Sequence, residues 1–275
     1  MRKVDDKMTC SNRGMPAVAD RKVREGIVAS YKKSRRRLLL LDYDGTLVPF
    51  ASRPDKAVPG PKLVRLLEDL AAIRRNEVAL ISGRTRPELE RWFGALKLSL
   101  VAEHGAWMRP KGRKKWEMII PLSAAWKDKV RPLFCSFLDR VPGSLLEEKD
   151  FSLAWHYRNA EPASGARRAR ELAAALKRAG AGMHLEVLEG AKVVEMKNVA
   201  AGKGKAALRL LRKARPGFIL AMGDDRTDED MFSALPVRAF TIKVGTAASG
   251  ARFFFPSRAG VLPFLRRLGD ADEGG

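Results

Sequence analysis

The chain alternates short apolar runs with longer stretches in which apolar residues recur every three or four positions. Leu38–Leu41 is an unbroken apolar run between polar flanks, as suits a strand buried on both faces of a parallel sheet. Beyond Pro59, Gly60 and Pro61, the residues Leu63, Leu66, Leu67, Leu70 and Ile73 fall on one helical face. Val78–Ile81 reads as a second buried strand, Thr85 with Glu88 as a capping box opening a helix through Trp92, and Leu98–Ala102 as a third strand. This β–α–β–α–β order predicts a parallel sheet with right-handed crossovers.

After Gly105 the pattern changes. Trp107–Met108 and Trp116–Ile120 flank a basic turn at Gly112 and read as a hairpin. A helical stripe follows from Trp126 through Leu138, then an alternating strand at Ser152–Tyr157. Pro162–Lys177 is a basic helix closed by Gly180, and His184–Leu188 and Lys192–Met196 are two more strands. The first kind of alternation resumes near Gly202, with a helix from Lys203, a strand Phe218–Met222, a helix from Asp228 and a strand Phe240–Val244. The simplest organisation is an α/β fold with a Rossmann-like parallel-sheet core over 35–110 and 193–275. A smaller α/β domain over 111–192 is inserted into it, and 1–34 form a basic extension with one helix near Val18–Tyr31.

Composition narrows this picture without changing it. With 275 residues, 45% of them hydrophobic, the chain has ample material for a core. No apolar run approaches the roughly 18 residues of a membrane-spanning helix, so no membrane partner is expected. The basic N-terminus is not followed by the apolar stretch of an export signal. Cys10 and Cys135 form no disulfide framework, and a reducing cytoplasm is the simpler setting. His104, His156 and His184 lack zinc-site spacing. A net charge of +21 attracts polyanions but equally attracts small phosphorylated molecules. The basic runs Lys32–Arg37, Arg109–Lys115 and Arg167–Arg170 read as solvated faces, and with no aromatic–basic recognition motif a nucleic-acid partner is not expected.

Candidate chemistry gathers at four places, each at a strand end or a helix start. Asp42 and Asp44 follow the first buried strand, where open α/β sheets form their ligand crevices. Ser82 and Arg84 follow the second, in the sequence ISGR. Lys203, between two glycines, opens a helix. The run MGDDRTDED carries Asp224, Asp225 and Asp228 past the end of another strand. The set suits phosphoryl transfer, whose transition state spreads negative charge over three oxygens that a lysine and a hydroxyl can hold. Clustered aspartates repel one another unless a cation lies among them, and hard oxygen ligands favour Mg²⁺. One aspartate can act as nucleophile, and a second can protonate the leaving alkoxide and later deprotonate water.

The order DYDGT, SGR, KG, GDD resembles the haloacid dehalogenase-like hydrolases over roughly residues 36–268. The resemblance implies that Asp42 is the nucleophile and that Asp44 is the general acid/base and offers a carbonyl to Mg²⁺. It implies further that Ser82 and Lys203 bind phosphate and that Asp224 is a metal ligand, with Asp225 and Asp228 as additional ligands or their supports. The segments AEHGAW, SLAWHYRN, VVEMKNVAAGKGKA and GDDRTDEDMF are similar to the trehalose-6-phosphate phosphatase family. In that family a cap lies between the second and third motifs, which agrees with the inserted domain. The implied activity is Mg²⁺-dependent hydrolysis of trehalose 6-phosphate, the last step of trehalose biosynthesis, by a cytoplasmic monomer. The residues expected to bind substrate are Arg84, Glu103, His156, Arg158, Lys192 and Glu195. Another sugar phosphate, such as sucrose phosphate or mannosyl-phosphoglycerate, is the first alternative, and a polyanion-binding protein, suggested by the net charge of +21, is the more remote one. Lys197–Asn198 stands where the family usually has Arg/Lys–Pro.

Overall fold

The computed structural model describes residues 15–273, and the side chain of Glu273 is outside the description. In chain order the elements are β1 Ala17–Val18, α1 Arg21–Lys33, β2 Arg37–Leu41, α2 Pro61–Ala72, β3 Asn76–Ile81, α3 Arg86–Phe93, β4 Ser99–Ala102, β5 Trp107–Arg109 and β6 Glu117–Met118. There follow α4 Lys127–Leu138, β7 Leu145–Glu148, β8 Ser152–His156, α5 Pro162–Ala179, β9 Leu185–Gly190 and β10 Val193–Asn198. The chain ends with α6 Lys203–Ala214, β11 Phe218–Gly223, α7 Arg226–Ala234, β12 Phe240–Val244, β13 Phe253–Phe255 and α8 Val261–Glu273.

The large sheet has the order β1-β13-β12-β11-β2-β3-β4-β5-β6, parallel from β1 to β4 and antiparallel at β5 and β6. Its centre explains the four-leucine run. Leu39 and Leu41 enter one apolar layer with Leu67 and Leu70 of α2 and Leu265 of α8. Leu38 and Leu40 enter the opposite layer with Ala207 and Leu210 of α6 and Met231 of α7. Side chains alternate across a strand, so a strand covered on both faces must be apolar throughout. In the small antiparallel sheet, β7-β8-β10-β9, only one face is apolar. Leu153, Trp155, Val194 and Met196 pack with Phe134 of α4 and Leu172 of α5, whereas Ala154, His156, Val193 and Glu195 take the other face.

Three boundaries differ from the sequence expectation. Residues 17–33 are part of the core rather than an extension: β1 pairs with β13, and α1 buries Ile27 and Tyr31, whose hydroxyl donates to Asn76 Oδ1 at 3.0 Å. A two-residue strand has too short a pattern to be read from sequence. Residues 1–14 lie outside the described residues. The pairing of β6 with β5 and of β10 with β8 and β9 also divides the two sheets near 119 and 198 rather than at 111 and 192. The register of β10 is visible only once its partners are known. Among the described residues no helix is long and apolar enough to cross a membrane.

Candidate active site

The parallel strands deliver the acidic residues to one edge. Asp224 follows β11, Asp42 follows β2, Ser82 follows β3 and Glu103 follows β4, and these four strands are adjacent in the sheet. The carboxyl ends of such strands are where ligands bind in open α/β sheets. Gly45, at φ +81°, lets the loop after Asp42 turn against the next acidic loop; a Cβ there would sit 2.2 Å from the Asp224 carboxylate.

Lys203, the first residue of α6, is 2% exposed and lies between two carboxylates. Its Nζ donates to Asp42 Oδ1 at 2.7 Å and to Asp228 Oδ1 at 2.8 Å. Burial alone would lower its pKa, but Asp228 and Asp42 outweigh that and hold it well above the ordinary lysine value. The carboxylates outnumber it. Burial pushes Asp42 well above the usual carboxylate range, and the charges of Asp224 and Asp225 add to the effect against Lys203. Burial and the Asp225 and Asp228 charges push Asp224 up to about 7. Asp42 Oδ2 is buried without a hydrogen-bond partner.

Asp42, Asp224 and Asp228 each offer an oxygen within 4.8 Å of the others, close enough to hold a metal ion. Asp228 is the least free of the three, because its Oδ2 accepts from the Asp224 and Asp225 amides at 3.0 Å and its Oδ1 from Lys203. The orphaned Asp42 oxygen and the raised Asp224 carboxyl are what a hard cation would satisfy, so the donor set fits Mg²⁺. Asp225 has a different task. Its Oδ1 accepts from the Thr227 amide at 2.8 Å and the Thr227 hydroxyl at 2.7 Å, capping α7. Burial opposes its ionisation, yet Lys203 and these hydrogen bonds hold its pKa below the ordinary value.

Asp44 is gripped by Arg84. Arg84 Nε donates to Asp44 Oδ2 at 2.8 Å and Nη2 to Oδ1 at 2.6 Å, while Nη1 reaches Glu88 at 2.9 Å and the Pro54 carbonyl. The two-point contact fixes the Asp44 carboxylate in direction as well as in charge. Ser82 is buried, and its hydroxyl accepts from the Arg84 amide at 3.1 Å.

A cavity of about 430 Å³ joins this cluster to the polar face of the small sheet. That volume is within the range of small-molecule sites, about 300–1,000 Å³. Asp42, Asp44, Arg84, Lys203, Asp224 and Asp225 line one side, and His156, Arg158 and Glu195 the other. Glu195 Oε1 accepts from Lys149 Nζ at 3.1 Å and Ser152 Oγ at 2.6 Å, and Oε2 lies 3.2 Å from His104 Nε2. His156 Nε2 lies 2.8 Å from Glu147 Oε2, and Arg158 donates to the Ala191 carbonyl and stands over the Phe50 ring.

Four expected site residues do not line the cavity: Ser82, Asp228, Glu103 and Lys192. Glu103 accepts from the Phe151 amide at 3.0 Å, at the seam between the two sheets. Lys192 is exposed, with its ammonium 5.6 Å from the Tyr157 ring. Conversely, His104, Glu147 and Lys149, which are not among the expected site residues, line the cavity. Glu147 belongs to β7, whose sequence LLEE carries no alternation, so no sequence signal separated its faces.

The fold is shared with other proteins of known structure. A haloacid dehalogenase-like hydrolase from Bacteroides thetaiotaomicron superposes with a TM-score of 0.59 at 14% identity, covering 85% of this chain and 99% of that one. The fold is therefore haloacid dehalogenase-like: a Rossmann-like core with an inserted α/β cap. A family profile described as trehalose-phosphatase matches residues 40–253, and the chain belongs to that family. The C-terminal domain of trehalose-6-phosphate phosphatase from Candida albicans superposes with a TM-score of 0.87 at 31% identity, covering 94% of this chain and 99% of that one. The α,α-trehalose-phosphate synthase [UDP-forming] B of Dictyostelium discoideum is 42% identical over 244 residues, 87% of this chain and 31% of that protein. The chain thus spans about a third of the length of the curated relatives it matches.

Proposed function

We propose that the protein is a cytoplasmic, monomeric, Mg²⁺-dependent phosphatase that hydrolyses trehalose 6-phosphate through an aspartyl-phosphate intermediate. The observation that carries this reading is a single cavity with the Asp42–Lys203 pair on one wall and the hydrogen-bonding face of the cap on the other. Family membership and the similarity to the Candida albicans phosphatase domain support the substrate.

Asp42 attacks phosphorus, forming an acyl-phosphate bond as the bond to the sugar oxygen breaks. Lys203, kept protonated by its two carboxylates, balances charge on the phosphoryl oxygens. Asp44 delivers a proton to the departing alkoxide and later removes one from the water that releases phosphate from Asp42. Arg84 aims that carboxyl and must yield part of its two-point grip for the transfer. Asp42, Asp224 and the carbonyl of Asp44 would hold Mg²⁺, with Asp228 behind Lys203. The bound ion would neutralise phosphoryl charge and favour the ionised form of Asp42. Glu195, Lys149, His156, Glu147 and Arg158 offer donors and acceptors to sugar hydroxyls, and the cap above the reacting atoms excludes water.

The test is phosphate release from trehalose 6-phosphate beside sucrose, glucose and mannosyl phosphates, with Mg²⁺ and with chelator. The expected result is Mg²⁺-dependent release selective for trehalose 6-phosphate. Preference for another sugar phosphate would retain the Asp42 chemistry and overturn the substrate.

A further inference from the structure

The turn Glu103–His104–Gly105 follows β4 and meets the cap and its return path at three successive residues. Glu103 Oε2 accepts from the Phe151 amide at 3.0 Å, and His104 Nε2 lies 3.2 Å from Glu195 Oε2. A Cβ on Gly105 would lie 2.5 Å from the carbonyl oxygen of Gly202, the residue through which the chain enters α6 from the cap. The turn is costly to hold. Glu103 and His104 have φ of 49° and 55°, a region that side-chain-bearing residues rarely adopt, and such conformations persist only where surrounding contacts determine them.

A second grip lies alongside. Arg86, the first residue of α3, donates through Nη2 to Asp150 at 2.6 Å, and its guanidinium stands 3.8 Å from the Trp107 ring centre. The Trp107 ring in turn lies 5.8 Å from that of Phe151. Asp150 and Phe151 therefore touch the core through its α3, β5 and the turn after β4. The residue before them, Lys149, reaches the cavity and donates to Glu195.

We infer that the Lys149–Phe151 turn of the cap docks on the core surface formed by Arg86, Glu103 and Trp107, and that this docking sets Lys149 and Glu195 over Asp42. Glu103, Arg86 and Trp107 are then positioning residues, since none of them lines the cavity. The Arg86 and Asp150 side chains remain 33% and 41% exposed, so this ion pair is individually weak and the docking rests on it together with the Glu103 and Trp107 contacts. The catalytic consequence of the inference rests on the phosphatase reading; the docking itself does not.

Hydrogen exchange of the Phe151 amide in the full chain tests the docking directly. In Arg86→Ala and in Glu103→Ala this amide should exchange about two- to ten-fold faster, the loss expected of one hydrogen bond or its support, with β2 and β3 unchanged. Glu103→Gln retains an acceptor and should restore protection. In both alanine variants kcat/KM should fall for trehalose 6-phosphate more than for a small aryl phosphate. If Glu103→Ala does not fold, Arg86→Ala and Asp150→Ala carry the comparison. Unchanged Phe151 protection in Arg86→Ala would overturn the docking. So would a Glu103→Ala variant whose KM for the sugar phosphate rises while protection is intact, since Glu103 would then read the sugar. A wild-type chain inactive on every sugar phosphate would remove the phosphatase reading, while the exchange comparison would still decide the docking.

Discussion

Two buried charged clusters face each other across the cavity, and they differ in how far their charges are met. In the core, Lys203 meets the carboxylates of Asp42, Asp225 and Asp228, Lys243 reaches only the Asp224 and Asp225 backbone carbonyls, one Asp42 oxygen has no partner, and burial with mutual repulsion raises the Asp42 and Asp224 carboxyls. In the cap, Glu195 is met by Lys149, His104 and Ser152, which outweigh burial and hold it well below the usual carboxylate range. Glu147 is likewise lowered against burial by Lys149 and His156. An unsatisfied carboxylate cluster favours a cation and supplies a nucleophile. A satisfied one offers fixed hydrogen-bonding directions at little charge, which suits the hydroxyls of a sugar.

Perturbing the core cluster should have the largest effects. Asp42→Asn should lower turnover by at least ~10³-fold with the fold retained, as phosphate release and thermal melting would report. Normal activity would remove the nucleophile. Lys203→Met leaves Asp42 and Asp228 buried without their counter-charge and should cost about 3–5 kcal/mol in urea unfolding. Added Mg²⁺ should recover part of that loss. The cation itself gives the next test. Its binding requires Asp224 ionised from a carboxyl raised to about 7, so binding should release protons near neutrality and tighten as pH rises through that value. Calorimetry in buffers of different ionisation enthalpy would detect this, and binding without proton release would contradict the raised carboxyl.

In the cap the effects should be smaller and should fall on recognition. Lys149→Ala leaves Glu147 and Glu195 less well met and should raise KM for trehalose 6-phosphate roughly ten-fold, with little change for an aryl phosphate. Equal losses on both substrates would blur the distinction between the clusters. The smallest effect is that of pH on the seam. Burial pushes Glu103 up to about 7; Asp150 adds to this, while the Phe151 amide, Lys149 and the Asp150 amide oppose it. Undocking returns Glu103 to water and to the ordinary carboxylate range near 4.5. The docked state therefore binds the proton more tightly, so docking is firmest below the ordinary value and weakens as pH rises through about 7. Phe151 protection, corrected for intrinsic exchange, should be greater at about pH 6 than at about pH 8.

Much of the fold was legible because it rests on local pattern. Leu38–Leu41 announced a central strand, Thr85 with Glu88 a helix start, and the switch after Gly105 an inserted block. What escaped were elements without a pattern of their own. These were β1, β13 and the acidic β7, which are strands by virtue of their partners; α8, by contrast, carries a helical stripe of its own at Val261, Phe264, Leu265 and Leu268. The candidate site divided in the same way. Asp42, Lys203 and Asp224 could be gathered from the ends of predicted strands and helices. Whether Glu103 or Lys149 faces the cavity depended on where the Lys149–Phe151 turn settles, and Lys192 lies in the turn between β9 and β10 with its ammonium towards the Tyr157 ring.

By itself, then, the sequence determined the parallel core, the order of its acidic loops and the class of chemistry they support. Hydrophobic periodicity and strand-end position are local properties of the chain, and they carry that information directly. Tertiary structure alone decided that Asp225 caps a helix, that Arg84 grips Asp44, and that Glu103 accepts from the Phe151 amide rather than lining the cavity. Each of these depends on which donor lies within about 3 Å of a carboxylate, and residues far apart in sequence settle that only when the sheets and the cap are in place.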